Sequence, residues 1–370
     1  MDFIFSTEAD EAAALAAEIV GERVTPERLR ELAASATPHH DADLWQTLGQ
    51  AGLLGLAVDP AYGGAGLGLI EAARVVVELG RVVAPLPAAT HIAATVILGP
   101  SAHQPRTADL LRSAADGSTL LTVALAEDHD HTPARPETTA TESGADWMLH
   151  GAKTGVRAGL EADAFLVPAD TGTGTAVFLV RADDPGVTLD PERLIDGDTT
   201  ARLHLAGVRV PSERLIGDRN GETARRLAEV TTALGCAEQL GICEGAIALT
   251  ARYASEREQF GRPIGTFQAV SQRLADGYID TLGARLTLWQ AIWRLAEELP
   301  ASVEVATAKL WAADAGHRIA HTTVHVHGGV GIDLDGTAHR YFTAAKRWEF
   351  SGGGSTEQAR RIGLALAGSL

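Results

Sequence analysis

Arg257 heads the stretch in which residue types and spacing point most directly to chemistry, Tyr253 to Asp276. Apolar Ile264, Phe267, Val270 and Leu274 follow i, i+3, i+6, i+10 spacing, which predicts one amphipathic helix entered through Gln259-Phe260-Gly261-Arg262-Pro263. Pro263 suits a helix start, and Gly261 lets the backbone approach a ligand. Free helix N–H groups beside the Arg257 guanidinium then make an anion site, with a phosphate as the expected guest.

Other reactive residue types carry less. Cys236 and Cys243 are seven apart in a predicted helix, on one face but about 10 Å apart along the axis, too far for a disulfide. They read as buried apolar residues. The histidine pairs His39/His40, His129/His131 and His325/His327 have no third ligand at convincing spacing, so no metal is expected.

The elements that must position these residues fall into three blocks, expected at 1–117, 118–218 and 219–370. In the first, Ser6 or Thr7 caps a helix to about Arg23 and Thr25-Pro26 restarts the chain as a second. Further helices are expected over Asp41–Ala51, Leu69–Arg81, Pro87–Leu98 and Thr107–Ala115. The Gly-rich run Val58 to Gly66 lacks a preceding strand and a following Lys-Ser/Thr, so neither a dinucleotide fingerprint nor a P-loop is satisfied. In the second block, Thr119–Leu125, Ala145–His150, Ala164–Val167, Ala176–Val180 and Thr200–Val210 are short, β-branched or alternating segments separated by turns, which predicts a small β-domain. In the third, helices are expected over Thr223–Glu256, Thr266–Leu299, Ser302–Gly328 and Ser355–Leu366, a four-helix bundle whose stripes also suit packing against another subunit. The fold class is α+β.

With 31 Lys and Arg against 48 Asp and Glu, the net charge of −17 repels nucleic acid and anionic membranes. An anionic ligand must therefore find a local basic pocket. No uninterrupted apolar run approaches the ~20 residues that span a bilayer. Met1 leads directly into Asp2-Phe3 with no cleavable signal, so a cytoplasmic location is expected.

The Arg257 stretch resembles the acyl-CoA dehydrogenase family, whose signature here is an Arg, then Gln-Phe-Gly-x-Pro-Ile, then Phe-Gln. A second signature, His327-Gly328-Gly329-Val330-Gly331 with Arg340-Tyr341-Phe342, stands downstream at the family's distance, and Glu78-Leu79-Gly80-Arg81 is a further matching point. The resemblance covers almost the whole chain and implies an α-domain, a β-domain and a helical bundle. It also implies that Arg257, Gln259, Phe260, Ile264, Phe267, Gln268, His325, Gly328 and Gly329 hold the pyrophosphate and adenosine of an FAD whose ring lies in the neighbouring subunit. Many relatives have Gln where His325 stands.

Elsewhere the chain departs from that pattern. Most relatives remove the substrate α-proton with the Glu of a Tyr-Glu-Gly-Thr loop, a general base worth ~10²–10⁴ in rate. That loop corresponds here to Gly352-Gly353-Gly354-Ser355, with Gly353 at the Glu position. Other relatives carry the base on the preceding long helix, where the matching position is Thr231. Glu229 lies about 200° around that helix and Glu238 two turns along it, so either would need a register change to serve. The family's Thr-Glu-Pro-x-x-Gly-Ser-Asp loop has become Ala126 to His131. Its Gly-x-Lys-x-Trp-Ile-Thr strand has become Gly151 to Arg157, with Gly155 for Trp and Arg157 for Thr.

The resemblance therefore implies the base-lacking subunit of a heteromeric FAD-dependent acyl-CoA dehydrogenase, with no catalytic residue of its own. The expected partner is a second family subunit carrying the Glu, in an α2β2 assembly. A bulky steroid side-chain CoA thioester is the first expectation for substrate, a fatty or branched acyl-CoA the second, and an electron-transfer flavoprotein the expected acceptor. Two alternatives stay open, a self-sufficient flavin oxidase or monooxygenase and a flavin-free structural pseudoenzyme.

Overall fold

The computed structural model describes residues 4–33 and 40–368; His39 and the first residues lie outside them. Six helices open the chain: α1 (Thr7–Arg23), α2 (Pro26–Ala33), α3 (Ala42–Gln50), α4 (Leu69–Arg81), α5 (Ala88–Leu98) and α6 (Pro105–Ala115). Ser6 accepts from the Ala9 N–H and Asp41 from the Leu44 N–H, so both act as N-caps. Helix α5 is apolar all round and almost wholly buried, which makes it the central rod of this region.

The sheet follows, built of β1 (Leu121–Val123), β2 (Thr139–Ser143), β3 (Asp146–Arg157), β4 (Ala164–Asp170), β5 (Thr175–Arg181), β6 (Val187–Arg193), β7 (Thr199–Pro211) and β8 (Leu215–Ile216). Its order is β6-β7-β3-β2-β4-β5-β8, with β1 parallel to β4. Three strands escaped the sequence pattern for physical reasons. β2 is polar and exposes all but Ala140, β6 carries Pro191 and three charges at the sheet edge, and β8 is only two residues long.

The C-terminal helices are α7 (Glu222–Glu256), α8 (Gln268–Ala296), α9 (Ser302–His327), α10 (Ala338–Phe350) and α11 (Ser355–Gly368). The four expected helices are present, and α10 adds a fifth. It buries only Ala338, Ala344, Ala345 and Trp348, a stripe too thin and too interrupted by charge to stand out. Helix α7 crosses α4 at close range. A side chain at Gly241 would strike the Val77 carbonyl oxygen and one at Gly245 that of Arg81. Cys236 and Cys243 are free and fully buried among these helices.

His91 ties the first region to the sheet. Its Nε2–H donates to Ala114 O at 3.0 Å and its Nδ1 accepts from Leu121 N at 3.1 Å, so α5, α6 and β1 meet on one neutral imidazole. Burial lowers its pKa to about 4, against ~6.5 unfolded. A depressed folded pKa means that the stability is present above pH 6.5 and is lost as pH falls toward 4. The loss should reach about 2 kcal/mol by pH 5, since each pH unit in that window removes ~1.4 kcal/mol. Urea unfolding of the wild type and of His91→Gln between pH 7 and 5 checks this. The variant should be less stable at pH 7 and flatter with pH, whereas parallel curves would remove His91 from the account.

Candidate functional site

The Arg257 segment folds differently from the single helix that its periodicity predicts. Glu258–Gln259 (β9) and Arg262–Pro263 (β10) pair as an antiparallel hairpin, a single turn spans Ile264–Thr266, and α8 begins only at Gln268. Pro263 ends the β10 strand and caps the short 3-10 turn Ile264–Thr266, so it stands at a helix start but not at that of α8. The hairpin turn is Phe260-Gly261, both left-handed at φ 54° and 75°, the two-residue geometry whose twist matches the flanking strands. Phe260 is 93% exposed and meets Phe267 edge-on at 6.1 Å, while Arg262 lies 4.2 Å over the Phe267 ring. Among the described residues no side chain caps the α8 N-terminus; the Val270 N–H bonds the Phe267 carbonyl, which leaves those of Gln268 and Ala269 uncapped.

Helices α7 and α9 run parallel, and the contacts along them fix what lies at each end. Thr250 donates to Thr323 at 3.1 Å, and Tyr253 stacks on His327 at 4.3 Å. The hairpin that follows α7 and the Gly328-Gly329 turn that follows α9 are therefore at the same end of the bundle. All nine candidate residues collect there. Arg257, Gln259, Phe260, Gln268, His325, Gly328 and Gly329 are exposed, and Ile264 and Phe267 are half-buried. A Cβ built on Gly328 or Gly329 meets open space, and Gln259 bonds only a neighbouring carbonyl. This is an outward platform with a cation, uncapped N–H groups, two aromatic rings and a bare glycine turn. Those features suit a phosphate-bearing aromatic ligand.

Far down the bundle lies a second site. A cavity of about 110 Å³ is lined by Thr231 and Thr232 of α7, Lys309 of α9, Trp348 of α10, Ser351-Gly352, and Thr154, Gly155 and Arg157 of β3. Thr231 and Glu256 are 25 residues apart on α7, about 37 Å along the axis. The cavity is smaller than the ~300–1,000 Å³ of ordinary ligand sites. Gly155, at φ 59°, sits where the β3–β7 register slips and leaves the β3 part of the wall without a side chain.

Most of its polar groups are paired, but Arg347 Nε and Trp348 Nε1 are buried without a hydrogen-bond partner among the described residues. Arg157 is buried; its Nε donates to Asp198 at 2.8 Å, its two Nη atoms to Glu238 at 2.6 and 3.0 Å, and Nη2 also to Leu86 O at 2.9 Å. Burial works against its charge, yet Glu238 and Asp198 hold its pKa above the ordinary arginine range. Arg347 donates to Asp196 at 2.6 Å, to Glu238 at 2.8 Å and to Asp198. Both guanidiniums lie about 5.5 Å or less from the Trp348 ring centre, at 5.5 and 5.4 Å. Lys309, pulled by burial to about 8, donates to the Trp348 and Glu349 carbonyls that end α10.

Neither glutamate considered as a displaced base is free. Glu238 is held by the two arginines. Glu229 accepts from Arg225 at 2.8 Å and from the Ser302 hydroxyl, on the wall of a neighbouring cavity of about 490 Å³. Thr231 does line the small cavity, and its hydroxyl donates to Leu227 O at 2.7 Å. Gly352 and Gly353 are left-handed, at φ 73° and 92°, and a Cβ on Gly353 would strike the Glu357 carboxylate. Sequence reasoning missed Arg347, Asp196, Asp198 and Lys309, because each acts through partners far away in the chain. It also missed the buried Lys153–Glu127 pair at 2.8 Å, in which Lys153 is 0% exposed and Glu127 additionally accepts from the Thr138 hydroxyl and two backbone N–H groups. Among the described residues no helix is long and apolar enough to cross a membrane.

Comparison with known proteins places this geometry. Residues 6–104 match the acyl-CoA dehydrogenase N-terminal domain and residues 224–366 the C-terminal domain. The chain is 44% identical to the acyl-CoA dehydrogenase FadE27 of Mycobacterium tuberculosis, over 99% of each protein. A chain in the crystal structure of the ChsE4-ChsE5 complex from the same species superposes with a TM-score of 0.92 at 44% identity, covering 99% of both. The Tcur3481-Tcur3483 steroid ACAD, solved as a G363A variant, gives 0.91 at 37% identity over 98% of both. With these matches spanning its whole length, the chain belongs to the acyl-CoA dehydrogenase family of FAD-dependent oxidoreductases.

Proposed function

We propose that this chain is the subunit of a heteromeric acyl-CoA dehydrogenase that completes a partner's FAD site without performing proton abstraction itself. One observation carries this reading. The phosphate-suited platform and the small cavity are about 37 Å apart along α7, farther than one dinucleotide reaches, so the platform serves a flavin whose ring lies in another chain. In this reading Arg257 forks onto the pyrophosphate with the α8 N–H groups behind it. Gln259, Ile264 and Gln268 border the same groove, Phe260 and Phe267 face the adenosine, and His325 with the Gly328-Gly329 turn closes the far side. Arg257 fits the task because its guanidinium is exposed on the platform.

The partner supplies the Glu base and the flavin-ring wall. Within this chain the base position is Gly353, and the carboxylates nearest the cavity are tied to arginines. Bound FAD supplies the hydride acceptor for α,β-desaturation of an acyl-CoA thioester. A steroid side-chain CoA is the substrate class that the similarity to the steroid ACAD favours, with an α2β2 assembly and an electron-transfer flavoprotein as acceptor.

Arg257→Ala in the assembled complex should lower flavin content and turnover together, since it removes a charge-assisted, two-pronged contact worth ~1.5–3 kcal/mol, about ten- to a hundredfold in FAD affinity. Arg257→Lys should restore part of it, because a point charge cannot reproduce the fork. Flavin absorbance per complex and turnover read both, and wild-type values in the Ala variant would remove this chain from the site.

Installing a carboxylate tests the other half. Gly353→Glu should give no gain in turnover, since the backbone is left-handed there and the new side chain would meet the Glu357 carboxylate. A doubling of turnover per complex would contradict the assignment of proton abstraction to the partner alone.

A further inference from the structure

A cavity of about 370 Å³, within the ~300–1,000 Å³ of ordinary ligand sites, lies between the first helical region, the β6–β7 loop and α10. Its apolar wall is Leu29 of α2, Val83 and Leu86 between α4 and α5, Ile195 between β6 and β7, and Leu334 ahead of α10. Ile195 and Leu334 are 63% and 76% exposed and mark its mouth. None of the nine platform residues borders it.

Arg340, in the first turn of α10, borders this cavity half-buried, and among the described residues its guanidinium has no partner. The other arginines that lack a carboxylate are exposed or, in Arg226, bond a carbonyl. Burial lowers the Arg340 pKa and the Arg30 charge lowers it further, with no anion acting against them. The position adds to this strain, because a cation in the first turn stands at the positive end of the helix dipole. Residues 34–39, which continue the chain from Ala33 on the cavity wall, include no acid that could pair with it. His339 and Arg347 border the same cavity, and His339 Nδ1 and Arg347 Nε are buried without a hydrogen bond among the described residues.

We propose that this cavity binds a small amphiphilic monoanion, a carboxylate on a short apolar body, with its head on Arg340 and its body against Leu29, Val83 and Leu86. A carboxylate matches the guanidinium fork. A phosphate dianion suits the cavity less, since Asp196 and Asp198 also border it and repel a second negative charge. The site stands apart from the proposed subunit role and does not depend on it.

Calorimetric titration of the assembled complex with hexanoate tests this, with hexan-1-ol and inorganic phosphate as controls and a thermal melt to report folding. Hexanoate should bind saturably, one per copy of this chain, and both controls at least about tenfold more weakly. Arg340→Gln should weaken hexanoate about ten- to a hundredfold. Leu334→Asp changes an exposed position and should also weaken it, by setting a like charge at the mouth. No saturable hexanoate binding, hexan-1-ol bound as tightly, or phosphate bound more tightly would each overturn the proposal. So would an unchanged hexanoate affinity in Arg340→Gln, or in Leu334→Asp where the arginine variant does not assemble, because the anion would then be held elsewhere.

Discussion

Burying five charges in one contact is the constraint on which this structure turns. Asp196, Asp198, Glu238, Arg157 and Arg347 come from the sheet, from α7 and from α10, and each side chain is at most 8% exposed. Removing one member of such a set strands a charge in a low-dielectric site, at a cost of about 3–5 kcal/mol. The cluster is weak evidence for overall stability but strong evidence for geometry, since it forms only when the three regions dock in one arrangement. The sheet, the bundle and the first helical region are thereby locked together beside the small cavity.

The proposed division of labour between subunits builds on that lock. In the proposed reading, the groups that would abstract a proton and cradle a flavin ring belong beside the small cavity, where this chain has glycine at 155 and 353 and the paired charges of Arg157 and Arg347. The groups suited to phosphate lie at the other end of α7 and α9, on a largely exposed surface. Loss at one end and retention at the other are independent in physical terms. A subunit can give up its own chemistry while remaining necessary to a neighbour's.

How much of this was legible in the sequence depends on the range of the interactions. Helices with strong periodicity or clear caps, such as α4 and the Ser6-capped α1, were read with their ends nearly in place. The hairpin at Glu258–Pro263 was not, because four apolar residues at helical spacing ran across a strand pair and a turn before α8 began at Gln268. The left-handed Phe260 gave no signal, since the residue before glycine in a turn is rarely aromatic. Beside the small cavity, the exchange of Trp for Gly155 and of Thr for Arg157 was visible against the family pattern, but what Arg157 does was not. Its partners Glu238 and Asp198 are 81 and 41 residues away, and only the fold brings them together.

The central claim is that this chain touches the adenosine end of a flavin whose ring belongs to its partner. Photolabelling the assembled complex with 8-azido-FAD reads that contact directly, because the azide sits on the adenine. Label should appear on this chain in peptides from the Gln259–Gln268 segment or from His325–Gly329. Label confined to the partner subunit would contradict the account.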